Sequence, residues 1–168
     1  MTHPLKGFTL VETLVAITVL VTAIVGPLYA VHKSVTASYT ARDILIATAL
    51  AQEGVEYVRF VRDSNYLEGN TDWLDGLAAC QAATGCALDS YAQSIQACPS
   101  EAGGGCPALN LDTASRYVLG SGTATRFRRT VALQTVSNTE ARVTVTVSWE
   151  TLRTPYTVTV TEELYNWQ

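Results

Sequence analysis

Two groups of residues in this sequence have types and spacings that could carry chemistry. The first is Glu12, the one charged side chain between Phe8 and Val31, which follows a Lys6-Gly7-Phe8 junction at a short offset. A carboxylate in hydrocarbon costs about 2.5–3.5 kcal/mol at the centre of a bilayer and less near its edge. Such a group is retained where it gains a partner or where it lies close enough to the interface to reach water. The second group is the four cysteines, Cys80, Cys86, Cys98 and Cys106, spaced C-x5-C-x11-C-x7-C. No Cys-x-x-Cys pair occurs and neither His3 nor His32 is close, which argues against zinc. A chain that begins with a membrane segment is expected to be exported, and disulfides are then allowed. Four cysteines permit three pairings. The sequential one, Cys80 with Cys86 and Cys98 with Cys106, closes two short loops and is the expectation.

Other reactive side chains are isolated. His3 and His32 have no catalytic partner in view, and no G-x-S-x-G or comparable nucleophile motif appears. Glu162 and Glu163 are adjacent, so in a strand they point to opposite faces and cannot form an acid–base pair. Asp72 and Asp75 offer oxygen ligands, but their loop matches no EF-hand pattern. Trp73, Trp149 and Trp167 suit core or rim packing. Nothing here assembles a catalytic constellation, so no enzyme activity, cofactor or metal is expected. The net charge is −4 and the densest basic group is only Arg126, Arg128 and Arg129, which argues against a nucleic-acid partner.

The elements that must position these residues differ sharply along the chain. Phe8 to Val31 is apolar over about the length of a bilayer-spanning helix. Lys6 on its N-terminal side favours keeping that end in the cytoplasm, weakly opposed by His32 and Lys33. The apolar run is too long for a secretory h-region and lacks a small-residue cleavage site at its end. Ala47, Leu50, Ala51, Val55, Val58 and Val61 then recur at steps of three and four, the stripe of an amphipathic helix. Glu56–Arg59 and Arg59–Asp63 are opposite charges at helical spacing. One helix from about Thr9 to about Arg62 is expected, kinked at Gly26-Pro27 because proline removes a backbone hydrogen bond. That site either unwinds in use or is a simple kink; both readings stand.

Residues 64–115 read as irregular, marked by turn residues, the cysteines and Gly103-Gly104-Gly105. From Arg116 the period becomes two: Tyr117–Leu119, Arg126–Val136, Ala141–Trp149 and Tyr156–Tyr165 read as half-buried antiparallel strands. The fold expected is α+β, with the amphipathic half of a long helix packed on a C-terminal antiparallel sheet of three or four strands. The organisation expected is a leader over 1–7, a membrane helix over 8–31, and a globular region over 32–168 that contains the loop 64–115 and the sheet 116–168.

A short basic leader ending in glycine, then Phe8-Thr9-Leu10-Val11-Glu12 opening a long apolar helix, resembles the type IV prepilin signature. The match by motif covers Lys6 to Val31; the rest is similar in architecture alone. The resemblance implies cleavage between Gly7 and Phe8 by a prepilin peptidase, N-methylation of Phe8, and extraction from membrane lipid by an inner-membrane assembly platform. Other pilin subunits would then be partners through the N-terminal helix, in a homo- or hetero-oligomeric filament. Glu12 would register subunits against the freed Phe8 amine, its own or a neighbour's. The precursor is expected in the inner membrane, and the assembled subunit in an extracellular pilus or a periplasmic pseudopilus. Three functions remain open on the sequence: a pilus subunit, most simply a minor pilin, serving adhesion, motility or DNA uptake; a pseudopilin of a type II secretion system; and an unprocessed single-pass membrane binding protein.

Overall fold

The computed structural model describes residues 7, 9–100, 105–151 and 153–166. Phe8, leader residues 1–6, Gly103, Gly104 and Trp167 lie outside the described residues. Helix α1 spans Leu10–Glu68. Its start is set by a capping-box sequence, Thr9-Leu10-Val11-Glu12: the Glu12 N–H donates to Thr9 Oγ1 at 3.3 Å, and the Thr13 N–H to the Thr9 carbonyl at 3.2 Å. The negative Glu12 in the first turn also suits the positive end of the helix dipole. The helix continues through Gly26 and Pro27.

Its end lies beyond the expected Arg62. Asn65 is buried, and its amide donates to the carbonyls of Trp73 at 3.2 Å and Asp75 at 2.9 Å. That side chain ties the last turns to the following loop. Gly69, at φ +72°, then terminates the helix in the left-handed conformation that glycine adopts most cheaply.

The chain divides into two compact units between Arg42 and Asp43. Within the second unit, the α1 residues Ala47, Leu50, Ala51, Val55 and Val58 are buried as the stripe requires, and Val61 is partly buried. They cover a mixed-length antiparallel sheet of seven strands: β1 (Cys86–Asp89), β2 (Ser94–Ala97), β3 (Ala108–Leu111), β4 (Tyr117–Val118), β5 (Thr123–Ser137), β6 (Glu140–Thr151) and β7 (Thr154–Tyr165). Strand β5 is central. It pairs with β6 on one side, and with β3 and β1 in succession on the other.

The three or four strands expected are β4–β7; the correction is β1–β3, inside a region read as irregular. These strands are four residues each. Strand β1 is buried at every position, so it shows no alternation to read.

The inward face carries Phe127, Val131 and Leu133 on β5, and Ala141, Val143, Val145, Val147 and Trp149 on β6. An aromatic series runs through this layer. Tyr117 meets Phe127 edge-on at 6.0 Å, Phe127 lies 5.8 Å from Trp149, and Trp149 stacks on Tyr156 at 5.5 Å.

Gly54 and Gly85 permit close approaches. A Cβ at Gly54 would lie 2.9 Å from Val145 Cγ1 and 3.3 Å from Arg129 Cδ, so the helix sits low on the sheet only because that position is bare. A Cβ at Gly85 would lie 2.7 Å from the Val131 carbonyl oxygen, and its φ of +69° directs the chain into β1. Gly54→Val should therefore lower the stability of this unit by about 2 kcal/mol or more, the cost of overpacking a filled core. Thermal unfolding followed by near-ultraviolet circular dichroism would measure it, and an unchanged midpoint would contradict this account of the packing.

Candidate functional site

From Leu10 to Val31, α1 is apolar on every side and its large side chains are exposed: Leu10, Val11, Leu14, Val15, Ile17, Leu20, Ile24 and Leu28 all lie open. It is long and apolar enough to cross a membrane, and none of that stretch is buried within the chain. A helix hydrophobic all round belongs in hydrocarbon or in a bundle of other helices. The hydroxyls of Thr13, Thr18 and Thr22 are satisfied within the helix. Thr13 donates to the Leu10 carbonyl at 2.8 Å, Thr18 to that of Val15 at 2.8 Å, and Thr22 to that of Thr18 at 2.9 Å. Such back-bonded hydroxyls leave little for lipid to solvate.

Glu12 is therefore the residue that hydrocarbon would not accept, in the first turn of the helix and exposed. At the other end of the apolar run, Lys33 Nζ lies 5.6 Å from the Tyr29 ring centre. An aromatic and a long cation are the usual markers of a membrane–water boundary. Of the junction residues, Gly7 is exposed with no atom near its missing Cβ, whereas Phe8, the expected cleavage and methylation position, lies outside the described residues. Gly26 likewise has open space around it, and with Pro27 it sits inside the helix.

In the second unit the cysteines join sequentially, Cys80 to Cys86 and Cys98 to Cys106. The first bridge ties a short 3₁₀ turn (Ala78–Gln81) to β1 within the main core. The second forms a small satellite cluster with Ala87, against which Leu119 packs. Backbone bonds knit the two regions: the Cys98 N–H donates to the Gly85 carbonyl at 3.0 Å, and the Thr84 hydroxyl to the Cys98 carbonyl at 3.0 Å.

Glu162 and Glu163 do face opposite ways. Glu162 takes Arg59 on the helix side, while Glu163 takes Arg142 at 2.6 Å on the outer face. The Glu56–Arg59 pair forms at 2.5 Å. The expected Arg59–Asp63 pair is replaced, because the Arg59 fork reaches across to Glu162 and Asp63 pairs with Arg62 at 2.7 Å. The carboxylates of Asp72 and Asp75 accept N–H groups of their own loop, from Leu74 and Gly76, at 2.9 Å each. Among the described residues, no group of three or more His, Cys, Asp or Glu is arranged to hold a metal.

The most consequential polar group reads in the sequence only as one of three clustered arginines, not as a buried one. Arg129 occupies the inward phase of β5 and is 1% exposed. Its guanidinium donates to the carbonyls of Leu50 on α1 and Leu88 on β1 at 3.0 Å each, and lies 3.3 Å from Glu53. Burial pulls its pKa down, and Glu53 opposes that fall. Glu53 in turn accepts the Ser90 hydroxyl. A second cross-link joins buried Asp43 to Arg126 at 2.7 Å, with the Thr151 hydroxyl donating to the same carboxylate at 3.3 Å. The signal available was an arginine in register with Phe127, Val131 and Leu133, where an apolar residue belongs.

The chain matches no protein-family model, and neither a curated protein nor a solved structure is significantly similar to it.

Arg129→Ala would strand two carbonyls and a carboxylate at the junction of α1, β1 and β5. It should cost about 3 kcal/mol, the scale for breaking a buried charged network by removing one partner. Glu53→Gln, which keeps a hydrogen-bonding group there, should cost only about 1 kcal/mol. Denaturant titration of both variants checks the order, and equal losses would contradict the role given to Arg129.

Proposed function

We propose that this chain is a structural subunit of a type IV pilus, a minor pilin, matured by a prepilin peptidase between Gly7 and Phe8 and assembled into a helical filament. The observation that carries this reading is the N-terminal half of α1. An all-round apolar helix is retained with one acid in its capped first turn, directly after a Lys6-Gly7-Phe8 junction.

A simple membrane anchor has no use for that acid. In an assembling bundle, Glu12 gains the amine freed at Phe8 as a counter-charge. An ion pair in a low-dielectric bundle fixes register whether or not it adds net stability. Hydroxyls turned back on the helix suit it equally to lipid before assembly and to neighbouring helices after it. The disulfide-braced unit that follows suits an exposed subunit outside the reducing cytoplasm.

Two substitutions separate processing from assembly. Gly7→Val meets no neighbouring atom, so a change in behaviour reports on cleavage rather than folding; the variant should accumulate as full-length precursor in membranes. Glu12→Leu should be cleaved normally and stay in the membrane, absent from sheared surface filaments. A Gly7→Val protein of the same length as wild type would point to the single-pass membrane protein. Wild type processed at Phe8 but confined to the cell envelope would point to the type II secretion pseudopilin.

A further inference from the structure

Strand β7 pairs with β6 along its whole length, without a register shift, and with no other strand among the described residues. Its second edge therefore offers a row of backbone donors and acceptors. The edge strands β2 and β4 have only four and two residues, whereas β7 has twelve. Edges of that length are usually blunted by a central charge, proline or bulge. Here Pro155 and the charges Glu162 and Glu163 sit only at the two ends, and the middle is uniformly β-branched.

That middle is also symmetric. Thr157-Val158-Thr159-Val160-Thr161 reads the same in both directions. A two-fold interface needs a surface that complements itself, and a palindromic edge strand meets that condition when paired antiparallel about its centre. We propose that the β7 edge is a self-association surface, on which β7 of a second copy of this chain adds antiparallel with Thr159 opposite Thr159.

In this register Thr157 faces Thr161 of the second copy, and Val158 faces Val160. On the inner face, the partly buried Val158 and Val160 gain further apolar cover. On the outer face, the hydroxyl rows already formed with β6, Thr146–Thr159 at 3.4 Å and Thr144–Thr161 at 3.5 Å, extend into the second copy. Cross-strand Thr–Thr pairs are favourable, and like charges directly opposed are not. Glu162 faces Tyr156 and Glu163 faces Pro155 of the second copy, so no like charges meet. The pairing requires neither cleavage nor a filament and stands apart from the proposed function.

Cysteine cross-linking of the full-length chain in detergent or native membranes tests both the contact and its register. The described cysteines are all in disulfides, so an introduced cysteine supplies the free thiol. Directly opposed residues lie about 4.5–5.5 Å apart between Cα atoms, within disulfide reach. Under a mild oxidant, Thr159→Cys should form a disulfide dimer. Thr157→Cys and Thr161→Cys should each stay monomeric alone, because like positions are then roughly 13 Å apart along the strands, but should link when mixed. Adding Thr159→Lys to both members of that mixture should abolish the link. A monomeric Thr159→Cys, a Thr157→Cys that links to itself as readily, or a mixed link that survives Thr159→Lys would overturn the proposal.

Discussion

Glu12 lies on a helix face that has no water-facing side. Most amphipathic helices solve the problem of apolar surface by turning it inward, and α1 does so from Asp43 onward, where Ala47, Leu50, Ala51, Val55 and Val58 meet the sheet. From Leu10 to Val31 the apolar side chains point in every direction, and no single partner face could cover them. Such a surface suits lipid or a ring of neighbouring helices. The rest of the N-terminal chemistry follows from that constraint. Threonine hydroxyls fold back onto carbonyls, Lys33 lies over the Tyr29 ring at the far end of the apolar run, and the Thr9 hydroxyl caps the Glu12 N–H.

The second unit rests on a different compromise. Its helix lies close to β6 because Gly54 has no side chain, and the space beside that glycine is taken by the stem of Arg129. The guanidinium then serves carbonyls of α1 and β1 from β5. Three elements distant in sequence thus depend on one cation, which Glu53 helps to keep charged against the cost of burial. Strand β1 is held again by Cys86, so a four-residue strand too short to be stable alone is fixed covalently as well as by hydrogen bonds.

The legible parts of the fold were those with long, clean periods. The valines of β6 and the helical stripe state their buried face directly, and Glu162 and Glu163 fall on opposite faces as strand geometry requires. What escaped was short or non-local. Strands β1, β2 and β3 carry no alternation over four residues, and the disulfides and β5 define them more than their own propensity does. The end of α1 at Glu68 depends on Asn65 bonding to carbonyls eight and ten residues on, a tertiary contact with no local signature beyond Gly69. Arg59 chose Glu162 over Asp63 for the same reason. Of the candidate site, the exposed apolar helix was readable and the sequential cysteine pairing was one of three open ones, whereas the Arg129 network was visible only as an arginine in phase with the apolar Phe127, Val131 and Leu133.

The central claim, that the apolar helix with Glu12 at its start is a processed assembly segment, is tested most directly at its N-terminus. Filaments sheared from native cells would be analysed by mass spectrometry for the N-terminal peptide of this chain. The account predicts a peptide that begins at N-methylated Phe8. An intact Met1 terminus, in cells whose prepilin peptidase is active, would contradict it.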